Sequence, residues 1–197
     1  SELAISSAGV ITFKSAPDFE TKTSYTATVT VSDGVNTATK ALTISVTNVN
    51  DIAPVISSAA TYSAAENQTG IGSVSASDVE GDTLTYSISG TELAISSAGV
   101  ITFKAAPDFE TKTSYTATVT VSDGVNTATK ALTISVTNVN DVAPVISSAA
   151  TYSAAENQTG IGSVSASDAE GDTLTYSISG TELAISSAGV ITFKAAP

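Results

Sequence analysis

The sequence predicts an all-β protein made of tandem antiparallel β-sandwiches, and two observations carry that prediction. First, residues 1–107 match residues 91–197 at all but four positions, so the chain repeats with a period of 90 residues. Such a period exceeds that of typical solenoid repeats and suits a string of autonomous domains. Second, apolar residues alternate with Ser or Thr along each period, as in half-buried strands. The four differing pairs are Ser1/Thr91, Ser15/Ala105, Ile52/Val142 and Val79/Ala169.

Each predicted strand is a short alternating run bounded by turn residues. A first strand is expected within 54–65, a weaker one at 71–76, a clear one at 83–88, and strong ones at 115–121 and 126–139. Turn-forming residues separate the runs, and no stretch has helical periodicity. About seven strands fall in one period, which is the number typical of an antiparallel sandwich. The aromatic side chains expected in the core or at its rim are Tyr62, Tyr86, Phe103, Phe109 and Tyr115.

Composition excludes several classes of function. Seven Lys and no Arg or His stand against 19 acidic residues, for a formal net charge of −12, so nucleic acid and anionic membranes are unsuitable partners. No apolar run approaches the roughly 20 residues of a transmembrane helix. Without Cys or His, disulfides and the usual zinc or copper ligands are absent. An ion that stabilises these domains would therefore be bound by oxygen ligands.

Acidic residues are concentrated in turns and at strand ends. Of the nine acids between Ile52 and Asp141, three fall within 78–82 and two within 108–110, with no basic partner beside them. Neighbouring carboxylates repel one another unless a divalent cation lies among them. Six to eight oxygens from carboxylates, amides and carbonyls suit Ca²⁺. Spacing alone leaves open the alternative that these are simply solvated acidic turns.

Six short motifs recur in a fixed order along the period. They are Ala65-Glu66-Asn67, the acidic turn 78–82 followed by 84–88, the segment 99–102, Pro107-Asp108-Phe109-Glu110, the run 115–124, and the linker 138–144. In this order and at these intervals, they resemble the cadherin repeat, specifically the cadherin-like tandem repeats of large bacterial surface adhesins. The resemblance implies an Ig-like Greek-key sandwich with seven strands, and Ca²⁺ bound where successive repeats join.

The resemblance also implies which residues would be calcium ligands. At the first junction they are Asp18, Glu20, Asn48, Asn50, Asp51, Asp78, Glu80, Asp82 and Asp123. At the second junction they are Glu66, Asp108, Glu110, Asn138, Asn140, Asp141, Asp168, Glu170 and Asp172. Asn138 stands where the family has Asp, Glu170 replaces the second Asp of the acidic turn, and Val142 stands where Asn is common. These departures lead us to expect two or three ions per junction.

The predicted domains are the C-terminal part of one repeat (1–51), a complete repeat (52–141) and the N-terminal part of a third (142–197). The expected function is a calcium-rigidified extender of a giant extracellular bacterial adhesin at the cell surface, used for cell or surface attachment. Its partners would be the neighbouring repeats of the same chain. A repeating subunit of an extracellular filament or sheath, in contact with identical chains, is the alternative.

A catalytic role is not expected. The paired carboxylates lie on alternate residues of a turn, which does not set an acid and a nucleophile across a sugar, and no aromatic platform accompanies them.

Overall fold

The computed structural model describes residues 2–197, and this part of the chain contains 18 β-strands and no helix. In the first copy the strands are β1 (Leu3–Ile5), β2 (Ile11–Phe13), β3 (Ser24–Ser32) and β4 (Thr37–Ser45). In the middle copy they are β5 (Val55–Ile56), β6 (Thr61–Ala65), β7 (Gly70–Ser73), β8 (Ala76–Ser77), β9 (Thr85–Ile88), β10 (Leu93–Ile95), β11 (Val100–Phe103), β12 (Ser114–Ser122) and β13 (Thr127–Thr137). In the last copy they are β14 (Val145–Ile146), β15 (Gly160–Ser163), β16 (Ala166–Ser167), β17 (Leu183–Ile185) and β18 (Val190–Phe193).

The middle copy forms two packed layers of antiparallel strands. One sheet has the order β6-β13-β12-β9, and the other layer contains the sheet β10-β11-β7 and the pair β5-β8. Two of its strands are interrupted, since residues 57–60 separate β5 from β6 and residues 74–75 separate β7 from β8. Counting each interrupted strand once gives seven strands. The predicted seven-stranded sandwich is therefore confirmed, as is its Greek-key order, because β9 lies beside β12 and β6 beside β13.

The core follows from the alternation in the two longest strands. Val119 and Val121 of β12 and Ile134 of β13 are fully buried, while the Thr residues between them face outward or lie at the rim. Burial of each such side chain stabilises the fold by about 1.5–3 kcal/mol. Of the five aromatic residues predicted to lie in the core or at its rim, Phe103 is buried. The other four are half-buried at the rim, namely Tyr62, Tyr86, Phe109 and Tyr115.

The turn before β11 requires glycine. Gly99 has a φ of +78°, and a Cβ there would lie 2.4 Å from the carbonyl oxygen of Val74. That close approach lets the Val74 amide donate to the Gly99 carbonyl at 2.8 Å. Gly189 repeats this arrangement in the last copy, with a φ of +76°. A side chain at either position would both strain the backbone and collide with it.

The outer copies contain fewer strand pairs than the middle copy. In the first copy β1 pairs with β2 and β3 with β4, and in the last copy the sheets are β14-β16 and β15-β18-β17. Residues 151–155 and 175–178 have the sequences of β6 and β9 but are not strands. Residues 142–197 contain no counterparts of β12 and β13, which supply the hydrogen bonds for β6 and β9 in the middle copy.

The chain divides into two compact units. One unit comprises residues up to Tyr62 together with Gly70–Lys104 and Thr116–Thr133, and the other comprises Ser63–Thr69, Ala105–Tyr115 and Ile134–Pro197. The first linker, around Asp51, lies within the first unit, and the second linker, around Asp141, lies within the second unit. Each linker is accordingly described within its own unit. The predicted repeat boundaries at 51/52 and 141/142 stay a prediction.

Candidate metal centres at the two linkers

Two overlapping groups of acids surround the first linker. Glu20, Asp51 and Glu80 each offer a carboxylate oxygen within 4.8 Å of the others, and so do Asp78, Glu80 and Asp82. Glu80 belongs to both groups. Oxygen-only sites of this kind suit a hard divalent cation such as Ca²⁺.

Glu80 is fixed by the linker backbone. The amides of Asp51 and Ile52 donate to its Oε1 at 3.0 Å and its Oε2 at 3.1 Å, respectively. Asp78 orders the acidic turn from within, since its Oδ1 accepts from the amides of Glu80 (3.0 Å) and Asp82 (3.3 Å). The linker and the acidic turn are thus joined by direct hydrogen bonds.

Three carboxylate oxygens of the acidic groups at the two linkers are buried without a hydrogen-bond partner. At the first linker they are Oδ2 of Asp78 and Oδ2 of Asp82, and at the second linker Oε2 of Glu170. Leaving a buried acceptor unsatisfied costs about 1–3 kcal/mol, and more when it is charged. A cation bound among these oxygens would remove that cost.

The second linker also has two groups of acids, but Glu66 takes the place in its first group that Glu80 has at the first linker. Glu66, Glu110 and Asp141 form one group within 4.8 Å, and Asp168, Glu170 and Asp172 form another. Oε1 of Glu170 accepts from the amides of Asp141 (2.5 Å) and Val142 (3.0 Å). Oδ1 of Asp168 accepts from the amides of Glu170 (3.1 Å) and Asp172 (3.2 Å), as its counterpart does in the preceding copy.

Glu66 is the most deeply buried acid of the set, with 2% of its surface exposed. Its Oε2 accepts from the amide of Phe109 at 2.7 Å, and its Oε1 accepts from the amide of Val139 at 2.6 Å. The side chain therefore connects the end of β6 to both the 107–110 loop and the second linker. Those hydrogen bonds stabilise a charge that would otherwise be costly to bury.

The electrostatics of both linkers favour a cation. Burial raises the pKa of Glu110, and the negative charges of Glu66 and Glu170 raise it further. For Glu20, its own backbone amide lowers the pKa, but desolvation together with Asp18 and Glu80 outweighs this, so the pKa of Glu20 is raised. Each group is thus penalised for ionising among like charges, and a divalent cation would reverse the sign of that effect.

Comparison with known proteins places this geometry in context. Residues 50–137 match the family model described as a bacterial Ig domain. The domains EC3–6 of protocadherin gammaB7, solved as a cis-dimer, align with a TM-score of 0.80 and 22% identity over 100% of this chain and 58% of that chain. The chain has the cadherin-like repeat fold.

Two further cadherin structures share the fold over the whole of this chain. Mouse protocadherin-24 EC1–3 aligns with a TM-score of 0.78 and 24% identity, and the alignment covers 74% of the protocadherin-24 chain. Mouse cadherin-23 EC22–24 aligns with a TM-score of 0.77 and 22% identity, and the alignment covers 72% of the cadherin-23 chain. No curated protein matches the sequence. The predicted resemblance to cadherin-like repeats is confirmed. Such a fold is typical of structural and adhesion domains. Within residues 2–197, no helix is long and apolar enough to cross a membrane.

Three predicted ligands of the cadherin-like repeat lie outside the acidic groups of the described residues, because their carboxylates bond their own turns. Asp18 accepts from the amide (3.2 Å) and hydroxyl (2.8 Å) of Thr21, and Asp108 accepts likewise from Thr111 at 3.2 and 2.7 Å. The hydroxyl contact is the main cause of the lowered pKa of both Asp18 and Asp108.

Asp123 is engaged in the same way in the turn after β12. Its Oδ1 accepts from the amides of Val125 (2.8 Å) and Asn126 (2.6 Å). Burial raises the pKa of Asp123, but these hydrogen bonds outweigh burial and leave it lowered. The carboxylate orders the β12–β13 turn.

The four predicted Asn ligands differ in environment. Asn50 pairs with the β12–β13 turn, and the Nδ2 of Asn140 donates to Oδ2 of Asp172 at 2.5 Å. Asn48 and Asn138 are exposed in the linkers.

Two linker contacts escaped the sequence analysis. Asn126 donates to Asn50 of the first linker, and Asn67 donates to Oδ2 of Asp141 of the second. Asn67 could have been recognised from its place in the Ala65-Glu66-Asn67 motif. Asn126 carried no such signal, because its partner is 76 residues away.

Proposed function

We propose that this chain is a calcium-binding extender segment of a large bacterial adhesin, in which ions bound at each linker stiffen a string of cadherin-like repeats outside the cell. The observation that carries this proposal is the pair of acidic groups at each linker, beside which buried carboxylate oxygens have no hydrogen-bond partner. The match of residues 50–137 to a bacterial Ig domain supports a bacterial source.

The residues suited to hold calcium are those of the acidic groups. At the first linker they are Glu20, Asp51, Asp78, Glu80 and Asp82, and at the second they are Glu66, Glu110, Asp141, Asp168, Glu170 and Asp172. Glu80 belongs to both groups at its linker, so one carboxylate would contact two ions. Asp18, Asp108 and Asp123 would contribute only with the oxygen lone pairs that their turns leave free. Two ions at each linker fit this arrangement.

Stiffening would follow from where these oxygens come from in the sequence. Glu20 precedes the linker, Asp51 lies in it and Glu80 follows it, so one ion would join three segments that are otherwise connected by a few residues. Without the ion the same carboxylates repel one another. Extracellular calcium modules bind with dissociation constants of about 10⁻⁴–10⁻³ M, and sites in that range would fill only after export.

Calorimetric titration of the 197-residue chain with Ca²⁺ tests the proposal. We expect saturable binding, and we expect Glu80→Gln to weaken it because this carboxylate belongs to both groups at the first linker. The matched control is Glu182→Gln, which removes the same charge from an exposed side chain outside the acidic groups. Equal affinities for both variants and the parent chain would overturn the assignment of these ligands.

A further inference from the structure

The first linker is held by a pair of asparagine amides as well as by acids. Nδ2 of Asn126 donates to Oδ1 of Asn50 at 2.9 Å, and Nδ2 of Asn50 donates to the carbonyl of Asp123 at 3.3 Å. Both side chains are partly buried. Asn50 therefore both accepts from and donates to the β12–β13 turn, across 76 and 73 positions of the sequence, and neither asparagine side chain is charged.

Asn126 is presented to the linker by an ordered turn. Oδ1 of Asp123 accepts from the amides of Val125 and Asn126, and the Ser122 hydroxyl donates to the Asn126 carbonyl at 3.0 Å. With its backbone fixed on both sides, the Asn126 side chain loses little additional freedom when it bonds Asn50.

The second linker has a corresponding amide from the preceding strand. Asn67 follows the buried Glu66 and donates to Oδ2 of Asp141. Its backbone is held by a hydrogen bond from its amide to the Pro107 carbonyl at 3.0 Å, with a φ of +62° that Asn tolerates better than most residues. An amide donor on Asp141 also offsets part of the repulsion from Glu66 and Glu110.

We propose that Asn126 is a positioning residue that holds the first linker by neutral amide hydrogen bonds without any cation. These bonds need no ion and differ in kind from the carboxylate groups, so the first linker keeps a defined backbone course when calcium is absent. A linker between two complete copies would receive both the contact that Asn126 makes and the contact that Asn67 makes, because the copies are nearly identical in sequence. Ions would then stiffen a linker whose local backbone course is already defined.

Hydrogen exchange of the Asp51 and Ile52 amides in the presence of a chelator tests this proposal. A single intramolecular hydrogen bond is worth about 0.5–1.5 kcal/mol, so we expect Asn126→Ala to speed their exchange by between about twofold and twelvefold. The matched control is Asn36→Ala, the same position in the first copy. Its turn has the same internal bonds, with the Asp33 carboxylate accepting from Val35 at 2.9 Å and from Asn36 at 2.6 Å.

A second variant guards against a local folding defect at residue 126. Asn50→Ala should speed linker exchange at least as much, because it removes both the bond from Asn126 and the bond to the Asp123 carbonyl, and the double variant should exchange no faster than Asn50→Ala alone. Three results would each overturn the proposal. They are unchanged linker exchange in Asn126→Ala, equal acceleration of linker exchange in Asn36→Ala, and additive effects of Asn126→Ala and Asn50→Ala. All of these measurements are made without calcium, so a chain that binds no calcium would refute the proposed function and leave this inference standing.

Discussion

Identical residues of β12 and β3 should contribute very differently to stability. Val121 in β12 is fully buried, whereas Val31, at the same position of the same sequence in β3, is 66% exposed. Truncating a buried Val to Ala removes two methyl groups worth about 0.8 kcal/mol each, or about 1.6 kcal/mol. The cavity left behind adds about 1 kcal/mol. We therefore expect Val121→Ala to destabilise β12 by about 2–3 kcal/mol, and Val31→Ala to destabilise β3 by about 0.5 kcal/mol.

Native-state hydrogen exchange resolves the two strands separately. A loss of 2–3 kcal/mol corresponds to about 30- to 150-fold faster exchange of the β12 amides, whereas Val31→Ala should accelerate β3 amides about twofold. Residues 24–45 and 114–135 have the same sequence, so intrinsic strand propensity cancels in this comparison. Equal acceleration by the two substitutions would refute the reasoning that the packed sandwich encloses β12 but leaves the outer end of β3 exposed.

Two other substitutions test local features of the fold. Gly99→Ala should lower the free energy of unfolding by at least about 3 kcal/mol, because the collision with the Val74 carbonyl adds to a positive-φ strain of about 1–2 kcal/mol. Gly90 has a φ of +88° with open space around it, so Gly90→Ala should lower the free energy of unfolding only by the strain. Chemical denaturation of each variant measures the difference, and equal losses would contradict the role of the close approach. Hydrogen bonds from the amides of Asn36 and Val35 lower the pKa of Asp33 in the folded chain. The ionised carboxylate therefore stabilises the β3–β4 turn at pH values above its unfolded pKa of about 3.9. That stabilisation is lost as the pH falls through the lower pKa of the folded state. Exchange of the β3–β4 amides between pH 5 and 2.5 should therefore show less acid dependence in Asp33→Asn than in the parent chain, and an identical profile would contradict the assignment.

Much of the fold could be predicted from the alternation of apolar and hydroxyl residues. Runs such as 115–121 predicted β12 because period-2 patterning directly reports one buried face. The weaker run at 71–76 was predicted as one strand but is divided into β7 and β8. The different burial of Val31 and Val121 could not be predicted from the local sequence, because both lie in the same 22-residue sequence and differ only in what packs against them.

The candidate site was predictable where its residues are close in sequence. Asp78, Glu80 and Asp82 lie on one turn, so their convergence follows from spacing. Asp18 and Asp108 behave differently because a Thr three residues later bonds each carboxylate, an interaction that sequence spacing suggests only once its turn is known. Contacts such as Asn126 with Asn50 depend on how distant strands and linkers are brought together, and no local rule predicts them.

The central claim is that calcium stiffens the linkers, and small-angle X-ray scattering of the 197-residue chain tests it most directly. Profiles recorded in millimolar calcium and in chelator should differ, with calcium extending the maximum interatomic distance of the chain. A Glu80→Gln, Glu170→Gln double variant should lose most of that response, because each of these carboxylates lies in an acidic group and bonds the linker backbone. Identical profiles in calcium and chelator, from a chain that calorimetry shows to bind calcium, would contradict the claim.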